Sequence, residues 1–332
     1  MNTRNIVEIG TGSESCGADC ADVIDEDKRY RLHRRFDRLG RLYGDGAVER
    51  LMAARVAVFG LGGVGSFAAE ALARSAVGHL MLVDFDEVCS TNINRQLQAL
   101  QSTVGQPKAE VLGERLRSVN PEAKVIASQA FYKAESSDEL LTDPWGSGYD
   151  FVVDCIDNMA AKAHLLATCK SRGILVISSM GAAGKRDPAQ IRVADLGQVQ
   201  VCPMSRALRR ILRKHHGFPE GKTFGIPAVH SLEPRLWPRE LTYDKGQGFR
   251  CVCPHKSDEH SCASRNLIDG TAVFVTGAFG LSLAAHVVNA LVGDLLETNP
   301  PARDRHGYRG PDAEGEASSD FADDVAVGSD SE

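Results

Sequence analysis

The chain has 332 residues, 43% of them hydrophobic and 25% charged, with a formal net charge of −6. That length and apolar content suffice for a sizeable core and exclude a wholly disordered chain. Residues 301–332 hold nine acidic side chains against three arginines, so the remainder is close to neutral and the acidity does not exclude a nucleic-acid substrate.

Residues 1–27 and 301–332 contain too few large apolar side chains to offset the entropy of ordering, and both are expected to be disordered. Between them, 28–185 reads as a nucleotide-binding domain. At 56–59 an apolar run breaks into a glycine turn, and the helix expected in SFAAEALARSAVG puts Phe67, Ala68, Ala71, Leu72 and Ser75 on one face. HLMLVDFD predicts a second buried strand, which completes a βαβ unit. QPKAEVLGERLRSVN predicts a helix ending before Pro121, AKVIASQAF a strand, and YDFVVDCID a strand with a polar end. MAAKAHLLATCKSRG predicts a helix stopped by glycine, and ILVISSMGAAG a strand running into a flexible loop. Such alternation gives an α/β fold: a Rossmann-like, mainly parallel sheet with helices on both faces.

After Gly184 the pattern loosens, and 186–300 reads as a substrate-side elaboration packed on the same core. A strand is expected within 190–196 and a basic helix over 206–215; 216–270 is rich in Pro, Gly, Cys and charge. Residues 271–293 are uncharged and long enough to cross a bilayer. His286, Asn289, three glycines and the absence of basic flanks favour a buried core helix instead, so no stable membrane insertion is expected. Nine cysteines without a secretory-type N-terminus read as reduced thiols in the cytoplasm.

Gly60, Gly62 and Gly65, with Gly63 between them, fit G-x-G-x-x-G between a strand and a helix, where backbone N–H groups can meet a polyphosphate. Asp84 follows at the end of the next strand, where a carboxylate can hold a ribose hydroxyl, so a dinucleotide such as NAD or FAD is open on these features alone. Asp86, Asn94, Arg95, Gln96 and Lys108 then crowd the next stretch. A dinucleotide has little use for that group, whereas a triphosphate attacked at its α-phosphorus needs cations and amides around it. Asp157 and Asn158 end another strand on the usual ligand side. A carboxylate there suits Mg²⁺, although both residues can equally cap the following helix.

The combination GLGGVGS (60–66), DFDEV (84–88), NINRQ (92–96), GQPKAE (105–110) and DCIDN (154–158) resembles the ThiF/MoeB/HesA group of ubiquitin-activating-enzyme-like adenylating enzymes. The resemblance implies ATP-dependent adenylation of a carboxylate, with 28–185 as the ATP-binding domain. By it, the loop glycines take the phosphates, Asp84 the ribose, and Asp86, Asn94, Arg95, Gln96, Lys108 and Asn158 surround the nucleotide. Arg95, Lys108 and Asp157 would carry the chemistry, Asp157 through Mg²⁺. Members are usually homodimers in which an N-terminal arginine reaches the partner's ATP; Arg38 and Arg41 are the candidates, with Arg41 favoured.

Within the group, RLYGDGAVERL, VGQPKAEVLGERLRSVNP, GAAGKRDPAQIRVADL and TGAFGLSLAAHVV are similar to the bacterial tRNA threonylcarbamoyladenosine dehydratases over most of 35–295. The substrate implied is the threonylcarbamoyl adenosine of tRNA, cyclised with loss of water. Cations that could meet RNA occur in 28–41 and at Arg206, Arg209, Arg210, Arg213 and Lys214.

Two departures matter. The sulfur-carrier-activating relatives have two C-x-x-C pairs for structural zinc, which are missing here; this weakens adenylation of a carrier protein as the alternative. Many dehydratase-group members have a cysteine in the loop aligned with IPAVHSLEP, where Ala228 stands. Cys251, Cys253 and Cys262, with two histidines nearby, could instead hold zinc, though not at a standard finger spacing. The reading from another class, an NAD(P)-dependent oxidoreductase, leaves Arg95, Lys108 and Asp157 without a role. His230, Glu233 and His286 are not placed in the active site.

Overall fold

Strand β1 (Arg55–Phe59) is buried along nearly its whole length, as a strand must be when helices cover both faces of a parallel sheet. Around it the computed structural model describes residues 34–221, 223–241 and 269–296. The expectations for both termini and for Cys251, Cys253 and Cys262 lie outside the described residues.

Helices α1 (Asp37–Tyr43) and α2 (Asp45–Ala53) precede β1, and α3 (Gly65–Arg74), β2 (His79–Val83), α4 (Lys108–Val119) and β3 (Lys124–Ser128) follow. After the single turn α5 (Ser137–Leu140) come β4 (Phe151–Asp154), α6 (Met159–Ser171), β5 (Val176–Ser179) and β6 (Ile191–Asp195). Helix α7 (Pro203–His216), β7 (Pro227–Ser231) and α8 (Val273–Val292) complete the described order.

The strands lie in the order β3-β2-β1-β4-β5-β7-β6. All neighbours are parallel except β6 and β7. Chain order runs outward from β1 through β2 and β3 on one side and through β4 and β5 on the other, so the crevice at the carboxyl ends of β1 and β4 is the switch point where such sheets bind ligands. Segment 186–300 contributes two strands to this same sheet. β7 is a departure from expectation: the stretch around Ala228 is a strand seated between β5 and β6, and Ala228 is fully buried in it. Five residues opening with proline give too short a pattern for periodicity to detect.

Helix α8 is long and apolar enough to span a bilayer by length and composition, yet it lies against α3 and the sheet. Close approach is possible because the contact side carries glycines. A β-carbon on Gly280 would lie 2.4 Å from the Val64 carbonyl oxygen and 2.8 Å from the Ala68 nitrogen, and one on Gly277 would touch the Phe67 ring. On its other side α3 is tied to α4 through Glu70, which accepts from Arg115 Nε and Nη2 at 2.9 and 3.1 Å.

Replacing Gly280 by alanine therefore forces a methyl group into backbone, and overpacking of this kind costs roughly 1–3 kcal/mol. We expect Gly280→Ala to lower the denaturation midpoint by that amount. Gly293→Ala, with no atom within 4 Å of the added carbon and no positive φ, should leave it within about 0.5 kcal/mol. Equal midpoints by denaturant titration would contradict this packing.

Candidate functional site

The tight turn after β1 is built by glycines that cannot be replaced. Gly60 has φ +85°, and a β-carbon on it would lie 2.8 Å from the Cys155 backbone; one on Gly65 would lie 1.8 Å from the Gly60 carbonyl oxygen. The first contact presses the turn against the end of β4, and the second folds α3 back over it. The N–H groups of Gly62, Gly63 and Val64 donate to no acceptor among the described residues. Heading α3, they form the cradle that a polyphosphate fits.

The NINRQ segment lies directly on this cradle. A β-carbon on Gly63 would meet the Arg95 stem at 3.2 Å, and one on Gly62 would come to 4.0 Å from Gln96 Nε2. Arg95 Nη1 donates to the Thr91 carbonyl at 2.8 Å and to Asn94 Oδ1 at 3.0 Å, while Asn94 Nδ2 donates to the Thr271 carbonyl at 3.1 Å. The segment is thereby fastened to the start of α8. Gln98, which the motif reading missed, donates to the Leu61 carbonyl at 2.7 Å and ties the same segment to the turn.

Asp84 directly follows β2, with its carboxylate buried. Oδ2 accepts from Leu61 N at 2.5 Å and Oδ1 from Asp86 N at 2.9 Å, which leaves each oxygen a further acceptor site. Lys108, the first residue of α4, reaches back to Asp86 Oδ2 at 2.7 Å. Burial opposes charge on Lys108, but Asp84, Asp86 and Asp157 outweigh it and hold the ammonium above the ordinary lysine range. Burial likewise pushes the Asp84 carboxyl up, with Lys108 opposing. The structure therefore brings Asp84, Asp86, Lys108 and Asp157 into one electrostatic group.

Asp157 is exposed on the turn between β4 and α6, and Asn158 caps α6, its Oδ1 accepting from Ala160 N and Ala161 N at 3.1 Å. The capping reading thus holds for Asn158. What fixes this turn was not apparent from the motif: the fully buried pair Asp154–Lys162, 2.8 Å apart, with Ser178 Oγ donating to Asp154 at 2.7 Å. Lys162 Nζ also donates to the Ile156 carbonyl at 3.0 Å, clamping the residue before Asp157. The only available signal was a lysine inside an apolar helix run. No group of three or more His, Cys, Asp or Glu that could hold a metal ion occurs among the described residues. A lone carboxylate beside a phosphate cradle still fits Mg²⁺, which takes one or two carboxylates together with phosphate oxygens.

Arg41 is not brought to this group. It is exposed on α1, its Nε 3.0 Å from Asp37 Oδ2. Arg38 is exposed on the same helix. On α7, Arg209 is half-buried and donates to the Leu196 and Val199 carbonyls at 3.1 and 2.7 Å. Arg213 donates to the Pro219 and Gly221 carbonyls, both at 3.1 Å, and stacks over Phe224. Arg206, Arg210 and Lys214 are exposed and spaced four residues apart, so they form one stripe.

Comparison with known proteins agrees with this geometry. The ThiF family model matches residues 36–318. The chain is 39% identical to the tRNA threonylcarbamoyladenosine dehydratase of Haemophilus influenzae over 78% of its own length and 94% of the relative's. With the Bacillus subtilis dehydratase the values are 40%, 80% and 96%. The crystal structure of the Escherichia coli dehydratase in complex with ATP superimposes with a TM-score of 0.66 at 33% identity, covering 79% of this chain and 95% of that one. Glycine cradle, clustered acid and base, and a match running far beyond the nucleotide site together show that the chain belongs to the ThiF family.

Proposed function

We propose that this protein uses ATP to adenylate the threonyl carboxylate of threonylcarbamoyladenosine in tRNA and then closes that side chain into a ring, with net loss of water. The observation that carries the reading is the Asp86–Lys108 pair held beside the glycine cradle, with Arg95 against the turn and Asp157 near Lys108. Fixed cations beside a phosphate cradle suit attack at phosphorus, where charge builds in the transition state. They have no task in hydride transfer.

The cradle N–H groups bind the phosphates, Arg95 and Lys108 neutralise them, and Asp84 orients the sugar. Mg²⁺, when bound at Asp157, would add charge neutralisation on the phosphate oxygens. Activation makes AMP the leaving group, and ring closure gains from the nucleophile's belonging to the same side chain. The setting is the cytoplasm.

Incubation with ATP, Mg²⁺ and tRNA bearing the modified adenosine should remove one water from that nucleoside, as read by mass spectrometry. Asp157→Ala should lower the rate by about 100-fold or more, the scale of losing one electrostatic contact in a transition state. An unchanged nucleoside, with pyrophosphate released only when a Gly-Gly-terminated carrier is added, would move the assignment to carrier adenylation.

The Arg206, Arg210 and Lys214 stripe is our candidate for the tRNA backbone. Each phosphate contact contributes about 0.7–0.9 to the slope of log affinity against log salt. Replacing all three with glutamine should lower that slope by about 2 to 3; an unchanged slope would remove α7 from the interface.

We also read the active species as a homodimer. Phe274 and Leu281 are exposed and seven residues apart on one face of α8, an apolar strip that a second copy can cover. Sedimentation equilibrium should give twice the chain mass, and Leu281→Glu should give a monomer. A monomeric parent would refute this and leave Arg38 and Arg41 without a partner's site to reach.

A further inference from the structure

The strand register places a second polar group beside the nucleotide site. Asp154 pairs with Ser178, Ser178 pairs with Ala228, and Met180 N donates to the Val229 carbonyl at 2.8 Å, so His230 lies at the same end of the sheet as the turn that follows β4. With only β5 between them, β4 and β7 run about 10 Å apart at the usual strand spacing. Lys185 comes to the same edge on the loop that leaves β5. That loop is joined to the site through two consecutive residues: Gly184 N donates to the Gly270 carbonyl at 2.8 Å, and the Thr271 carbonyl accepts from Asn94.

Lys185 and His230 are each only 4% exposed, and among the described residues each keeps hydrogen-bonding capacity that is not taken up. The Lys185 ammonium donates to the Glu233 main-chain carbonyl and has no carboxylate within ion-pair distance among the described residues. The nearby acids are committed elsewhere. Glu233 accepts from Arg186 N and Asp187 N, both at 2.9 Å, and Asp269 is held by Arg235. His230 Nδ1 is buried with no hydrogen-bond partner among the described residues. Burial lowers the His230 imidazole below the ordinary histidine range, a backbone hydrogen bond at Ser231 opposes that, and the charges of Arg192 and Lys185 add to it.

A buried cation with one neutral acceptor is costly, as is a ring nitrogen with none. The group is short of acceptors for two ammonium protons, so it suits an anion or a carbonyl-rich ligand and repels a cation. We infer that Lys185 and His230 form the acyl-substrate subsite, which holds the carboxylate-bearing substituent of the modified adenosine beside the α-phosphate. This inference rests on the dehydratase reading. It gives Lys185 a binding role toward the carboxylate or the urea carbonyl, and His230 one hydrogen bond to the same substituent.

The test separates the two nucleotide-bearing substrates. Lys185→Met should raise KM for the modified tRNA at least tenfold while the Kd for ATP, measured by calorimetry, stays within twofold. Lys185→Arg, which keeps the charge, should restore most of the loss. His230→Gln should raise the same KM severalfold and serves as the test if Lys185→Met does not fold. A tRNA KM unchanged in Lys185→Met and His230→Gln, or a Kd for ATP that rises together with it, would overturn the subsite. Wild-type protein that leaves the modified tRNA untouched would overturn the dehydratase reading itself, and the subsite with it.

Discussion

Gly65 starts a helix so close to the Gly60 carbonyl that no β-carbon fits between them. That single contact fixes the angle at which α3 leaves β1, and several other features follow from it. The helix axis points its free N–H groups into the crevice at the switch point. Its outer side then lies where Gly280 of α8 can reach Val64, and its inner side where Glu70 can take Arg115. A turn one bond wider would lose the cradle and both helix contacts together.

Charge is arranged around that turn in two layers with different duties. The inner layer, Asp154 with Lys162 and Ser178, is fully buried and internally satisfied. Removing one partner of such a pair typically costs about 3–5 kcal/mol, because it strands the other in an apolar interior. Its contribution is to hold the β4–α6 turn still. The outer layer, Asp84, Asp86, Lys108 and Asp157, spans burial to exposure and carries more acid than base. An excess of carboxylate at the mouth of an anion cradle is unfavourable by itself, and a divalent cation bound together with the phosphates would relieve it.

The alternation of strands and helices, the glycine turn and the Asp84 to Lys108 cluster were legible because each depends on local spacing. Helix α8 was legible from apolar length, and its packing against α3 from nothing in the sequence except Gly277 and Gly280. β7 was read as a loop because five residues beginning with proline have no measurable period. Lys162, Gln98 and Lys185 escaped, and His230 was set aside, for a common reason. Their hydrogen bonds are made, or lacked, across different elements of the fold, and polar satisfaction is a property of the folded chain. Arg209 and Arg213 show the converse: helical spacing cannot tell an arginine that faces solvent from one bound to carbonyls below it.

The order of synthesis gives the position of α8 a further meaning. Strands β1 to β5 and the glycine turn are all made before residue 180, yet the helix that backs the turn, and the Thr271 carbonyl that anchors Asn94, arrive some ninety residues later. During translation the nascent chain presents an unsupported cradle with the apolar side of α3 uncovered. The cradle therefore gains its backing only once residues 271–292 have been made. A chain arrested between residues 186 and 270 would have every phosphate-site motif but lack the helix that backs them.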